Sequence, residues 1–308
     1  MKPFDSLRSL RPRIRAARLL ILALCACTAA TATAAAQTPA AAKHFLWTVR
    51  SGANVLYLAG SVHALSADAY PLPGVFEKAF EASGTLVEEL NLAEAESLSA
   101  APMLLAKGMY SDGRTFDAVV SKETAALVAE RFKQTGLPME MFRPMKPWMV
   151  MLMLTALEAQ KAGLEANLGL DKYFYDKATA AKKPVVGLET AEFQIDRFDK
   201  MPDVLQEQML RSSLTEMESQ GDELKGMIAA WKRGDTAALE KTVRTSFAAY
   251  PAAYASLIVE RNRNWIPELE KCFSRPKPCF VVVGAAHMVG PDGLLALLRQ
   301  KGYKIEQH

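Results

Sequence analysis

The 308-residue chain reads as an α/β protein, with central strands at both ends of the chain and in its middle and long helical insertions between them. Three observations lead there. Short runs rich in Val, Leu and aromatic residues occur over 45–49, 55–59, 85–90, 184–189 and 279–284. The stretches between them repeat apolar residues at helical spacing. No Gly/Ser/Pro-rich linker interrupts residues 45–308, so they read as a single domain.

Residues 1–36 have the pattern of a secretory signal peptide. Arg-rich sequence runs to Arg18, an apolar segment opens at Leu19, and Ala34-Ala35-Ala36 before Gln37 fits an A-x-A cleavage site. The mature protein is thus expected in the periplasm or outside the cell, after a spacer over 37–44. Leu24-Cys25-Ala26-Cys27 keeps a second route open, lipid attachment at Cys27. Apart from the leader and that lipid, nothing in the chain calls for a membrane. The formal charge of +3 is concentrated in the same leader, which holds Lys2, Arg8, Arg11, Arg13, Arg15 and Arg18 against Asp5. The remainder of the chain is slightly acidic, and no nucleic-acid surface is expected.

Residues 45–49 and 55–59 predict a hairpin around Ser51-Gly52-Ala53-Asn54. A helix over 73–83 leads to a buried strand over 85–90. From 92 to 170 the pattern is helical, with an amphipathic stretch at 121–133 and a Met-rich one at 147–162; the methionine run Met139, Met141, Met145, Met149, Met151 and Met153 reads as core. A helix over 170–181, with Asp171 read as its N-cap, precedes the strand at 184–189. Residues 191–270 predict helix, broken at Gly221, Gly234 and Pro251. The chain closes with the strand at 279–284, a helix over 291–301 and an edge segment at 303–306. Cys272 and Cys279 bracket a Pro-stiffened turn, and export favours a disulfide between them. So short a ring contributes about 2–3 kcal/mol.

Two strands end in the same small motif, Gly60-Ser61-Val62-His63 and Gly284-Ala285-Ala286-His287. Gly at a strand end permits close backbone approach, and the His then projects from the rim where open α/β sheets hold ligands. Glu88-Glu89 and Glu189 end two further apolar strands. Strand alternation sends Glu88 and Glu89 to opposite faces, so only one of the pair is expected at the site. Two imidazoles and two carboxylates form an N/O donor set for a divalent ion such as Mn, Co, Zn or Fe. H-E-x-x-H, G-x-S-x-G, P-loop and G-x-G-x-x-G motifs are absent, which removes zincin, serine-hydrolase and nucleotide readings.

These residues resemble the TraB/GumN family, also called the TIKI-like proteins. The marks run from Phe45 to Ile305: Leu46-Trp47, both G-x-x-H motifs, Tyr70-Pro71-Leu72-Pro73, Leu86-Val87-Glu88-Glu89-Leu90, Lys146-Pro147-Trp148, Gly169-Leu170-Asp171, Gly187-Leu188-Glu189-Thr190 and Glu260-Arg261-Asn262 with Trp265. The resemblance implies a fold related to erythromycin esterase and to haem-binding ChaN-like proteins, a divalent metal site, and peptidase activity in some members. By position it assigns His63, Glu89, Glu189 and His287 to the metal-site constellation and Arg261 to the family's arginine. Where the family carries an acid after its strand glutamate, this chain has Asn91.

The expected function is an exported metal-dependent hydrolase acting on a peptide or protein. His63, Glu89 and His287 would hold the metal, Glu189 or Glu89 would take a proton from the attacking water, and Arg261 would steady the oxyanion. The alternative is an envelope protein that binds metal, haem or peptide in the same pocket without turnover.

Overall fold

The computed structural model describes residues 42–95, 100–135 and 138–308; the expected leader and most of the spacer lie outside these. Strands β1 (Leu46–Ser51) and β2 (Asn54–Ser61) form the hairpin, with Trp47 opposite Leu58 and Ser51 opposite Asn54. Helix α1 (Gly74–Ala82) leads into β3 (Thr85–Leu90). The chain then makes a long helical excursion through α2 (Ala100–Gly108), α3 (Lys122–Thr135), α4 (Pro147–Lys161) and α5 (Leu170–Ala180). It returns through β4 (Val185–Glu189) and leaves again through α6 (Ala191–Asp199), α7 (Asp203–Lys232), α8 (Thr236–Ser246) and α9 (Glu260–Lys271). It ends with β5 (Cys279–Gly284), α10 (Leu294–Gln300) and β6 (Lys304–Gln307).

The strands form one mixed sheet in the order β4-β3-β5-β2-β1-β6. β4, β3, β5 and β2 are parallel, while β1 runs antiparallel to both of its neighbours. Every residue of Cys-Phe-Val-Val-Val-Gly in β5 is buried, as a parallel strand covered on both faces requires. β6, at the sheet edge, alternates between exposed and half-buried positions. The topology therefore brings the carboxyl ends of four parallel strands to one edge, where α/β sheets keep their ligands.

Two apolar cores result. The larger surrounds the sheet and includes Trp47, Phe80, Phe174, Phe280 and Trp265. The smaller lies among the helices, where Phe132 stacks on Phe142 at 3.4 Å between ring centroids and Met145, Met149 and Met151 are buried. Met141, also part of the Met-rich run, is instead 48% exposed.

The break expected at Gly221 does not occur. α7 runs unbroken for 30 residues. An interior glycine costs a helix only about 1 kcal/mol relative to alanine. Here Leu210 and Leu214 anchor one end of α7 in the smaller core, and Ile228 and Trp231 anchor the other in the larger. Cys272 and Cys279 are bonded, joining the end of α9 to the start of β5 with 5.7 Å between their Cα atoms. Among the described residues no helix is long and apolar enough to cross a membrane.

Candidate functional site

β2 and β5 pair in parallel with Ser61 beside Gly284, so the two G-x-x-H motifs leave adjacent strands side by side. β3 flanks β5 on its other side and delivers Glu89; β4, beyond it, delivers Glu189. Gly284 lies where these groups converge. A methyl group added to it would lie 3.0 Å from Glu89 Oε1, 3.4 Å from His63 Nε2 and 3.5 Å from His287 Cδ2. A side chain at this position would fill the space that the three expected metal ligands share.

His287 is 4% exposed and held from several directions. The Asn262 amide donates to the backbone carbonyls of His287 and Asp292, which turns its Oδ1 toward His287 Nδ1 at 2.7 Å. Nδ1 therefore carries the proton and Nε2 presents a lone pair, which accepts from Arg261 at 3.1 Å. Glu89 Oε1 is 4.0 Å from that same Nε2. The Trp265 ring packs on the imidazole with 4.5 Å between centroids. Burial pushes the His287 pKa down to about 3, with Arg261 and His63 adding to the fall against the pull of Glu89, so the ring is neutral.

His63 lies nearer solvent, its side chain 64% exposed. Its Nδ1 is 3.2 Å from Asp171 Oδ1, and that oxygen also accepts from Ser61 Oγ at 2.6 Å. Desolvation opposes a charge on His63, but Asp171 and Glu89 raise its pKa above the ordinary value, with water screening their effect. The N-cap role expected of Asp171 is not observed. Gly169 occupies that position, and Asp171 sits in the first turn of α5 with its carboxylate directed at Ser61 and His63. The reason is tertiary. Leu170 N–H donates to Val62 O, and a methyl group on Gly169 would lie 2.3 Å from the His63 carbonyl oxygen, so only glycine lets the start of α5 dock there.

A π-helical turn at Ala255–Val259 leads into α9, which presents Arg261, Asn262 and Trp265 to the site. Such turns are often found at functional positions. Arg261 donates to Glu189 through Nε at 2.9 Å and Nη2 at 2.5 Å, and to Glu89 Oε2 through Nη2 at 2.5 Å. Trp265 Nε1 donates to the other oxygen of Glu189 at 3.0 Å. Burial alone would raise the Glu89 pKa. His287 when protonated, Arg261, His63 and the Gly284 amide together hold it at about 2.

Glu88 departs from the expectation that only one acid of the pair reaches the site. A cleft of about 210 Å³ wraps the end of β3 and is lined by both Glu88 and Glu89, with Ser61, His63, Asp171 and Gln194. Glu88 is 1% exposed, and neither of its oxygens has a hydrogen-bond partner. Burial, then Asp171 and Glu89, push its pKa up to about 9. Asn91 turns away to accept from Ala93 N–H, capping the helical turn after β3.

Both imidazoles hold Nδ1 against a fixed acceptor and leave Nε2 for the centre, the arrangement in which histidines bind metals. With Glu89 they make an N₂O donor set suited to a divalent transition ion. Among the described residues no group of three His, Cys, Asp or Glu is drawn close enough to form a finished cage, and the guanidinium of Arg261 already engages His287 and Glu89. Glu189 stands behind that guanidinium. Sequence reasoning missed Ser61, Asn262 and the true role of Asp171, although all three lie inside the motifs that mark the site.

A mixed sheet with imidazoles and carboxylates gathered at the carboxyl ends of its parallel strands defines an α/β protein with a polar site at the sheet edge. The chain belongs to the TraB/PrgY/gumN family, whose model matches residues 45–307. It is similar to the uncharacterized protein YbaP of Escherichia coli strain K12, 26% identical over 260 residues that cover 83% of this chain and 94% of that protein. The uncharacterized protein YbaP of Shigella flexneri is likewise 26% identical over 243 residues, 79% of this chain and 87% of that one. No solved structure matches the chain.

Proposed function

We propose that this chain is an exported metal-dependent hydrolase that cleaves peptide bonds, with His63, His287 and Glu89 holding a divalent ion. The observation that carries this reading is the convergence of His63 Nε2, Glu89 Oε1 and the His287 ring on the space above Gly284. A divalent ion bound there would supply Lewis acidity for attack by water. Asp171 and Asn262 fix the tautomer and direction of the two imidazoles. Arg261 keeps Glu89 ionised and is the buried cation that would stabilise a developing oxyanion. Of the two glutamates expected to take a proton, Glu89 lines the cleft, whereas Glu189 accepts from Arg261 and Trp265 and acts as a positioning residue. Export rests on the leader pattern and is supported by the Cys272–Cys279 bond, which an oxidising compartment preserves.

One observation favours the binding-only alternative: Arg261 already donates to His287 Nε2 and to Glu89 Oε2, so two of the three proposed ligands are engaged. Metal analysis of the purified protein beside a peptide-library cleavage assay, with and without chelator, separates the two readings. The hydrolase reading expects bound divalent metal and cleavage that chelator abolishes. Bound metal with no cleavage of any peptide establishes the binding module. Protein that takes up no divalent metal overturns the site assignment itself.

A further inference from the structure

Glu88 is a buried acid of the cleft to which the hydrolase reading gives no role. Its neighbours along the cleft are already engaged. Asp171 accepts from Ser61 and lies against His63, while Glu89 accepts from Arg261 and from Gly284 N–H. Glu88 has no partner for either oxygen and is shut away from bulk water. A buried carboxyl in that state has unmet hydrogen-bonding capacity, which a ligand bringing a cation or hydrogen-bond donors would satisfy.

We propose that the cleft receives the free α-ammonium group of a peptide with Glu88 as its counter-ion, so that the substrate class is peptides with an unblocked amino terminus. For turnover this rests on the hydrolase reading; for binding it does not. Charge supports it: a single unpartnered carboxylate matches one monovalent ammonium, whereas a second divalent ion would call for more anionic ligands. Size supports it as well. The cleft, about 210 Å³, is smaller than the roughly 300–1,000 Å³ of sites for drug-sized ligands, and suits the end of a chain rather than its middle. Leu90, Leu92 and Val282 line it beside the acids and would meet the aliphatic part of the first residue. The reaction would add water across the first peptide bond: the hydroxyl joins the acyl carbon, the C–N bond breaks, and a proton goes to the leaving amine. One free amino acid and a peptide one residue shorter result.

Isothermal titration of trialanine, N-acetyl-trialanine and propionyl-dialanine into the purified protein, chelated and manganese-loaded, tests this. Wild type should bind trialanine at least about tenfold more tightly than either blocked peptide. Glu88→Gln should abolish that preference and leave the affinity for N-acetyl-trialanine unchanged. Equal binding of free and blocked peptides by wild type, or a preference that survives in Glu88→Gln, overturns the proposal. So does a loss of bound manganese in Glu88→Gln, which would make Glu88 a metal ligand. If the variant fails to fold, the wild-type comparison with propionyl-dialanine, which lacks only the amine, decides alone. Amine-selective binding without cleavage would sink the hydrolase reading and leave this one standing. Equal cleavage of free and acetylated peptides would do the reverse.

Discussion

Glu88 and Glu89 are adjacent in β3 and have opposite electrostatics, because Arg261 and the Gly284 amide reach only Glu89. The consequence for Glu88 is a pH-dependent cost. Its folded pKa, pushed up to about 9, lies above the ordinary 4.5, so between those values the unfolded chain has released a proton that the folded chain keeps. Stability must fall as pH rises through that window. In chelated protein, Glu88→Gln should melt several degrees above wild type at pH 8, with the gap closing near pH 4.5. Parallel melting curves across that range would remove the buried acid as the cause. Asn262 offers a second test. Without its Oδ1, His287 loses the acceptor that fixes its tautomer, and Asn262→Ala should weaken manganese binding roughly 10–100-fold. Titration that gives an unchanged affinity would show that the His287 ring needs no such support.

At the level of elements, the end of β5 carries two devices. The Cys272–Cys279 bond ties α9 to the start of the strand, and so links the helix that supplies Arg261 to the strand that precedes His287. Replacing both cysteines by serine should lower stability by about 2–3 kcal/mol, read as a shifted urea midpoint of oxidised protein. Coincident unfolding curves would mean that packing alone holds this corner. Gly284 closes the strand with no side chain, which leaves room for Glu89 Oε1 and His63 Nε2 beside the backbone. Gly284→Ala should keep the fold, judged by circular dichroism, and lose metal affinity at least tenfold. Retained affinity would place the ion elsewhere.

Across the whole molecule, the sheet core and the helical core are joined by α7, and the site belongs to the first of them. On the proposed export reading, the mature chain should begin at Gln37 or within a few residues of it, which amino-terminal sequencing would test. A start at a lipid-bearing Cys27 would replace the soluble form with a membrane-tethered one.

Local pattern was enough for the α/β class, the hairpin, the positions of β3, β4 and β5 along the chain and the disulfide, because each is written in short-range terms: apolar runs, turn residues and a cysteine pair around a rigid turn. The matched G-x-x-H motifs further placed His63 and His287 together across 224 residues of sequence separation, and β2 and β5 are adjacent in the sheet. Local pattern misled at Gly221, where packing at both ends of α7 outweighs one poor helix former. It misled again at Asp171, whose neighbours Ser61 and His63 lie more than a hundred residues away. Which acid of the Glu88-Glu89 pair is paired and which stands alone was likewise settled only in three dimensions. A carboxylate's state depends on the charges and donors that the fold brings to it, and Arg261, Gly284 and Asp171 all come from other parts of the chain.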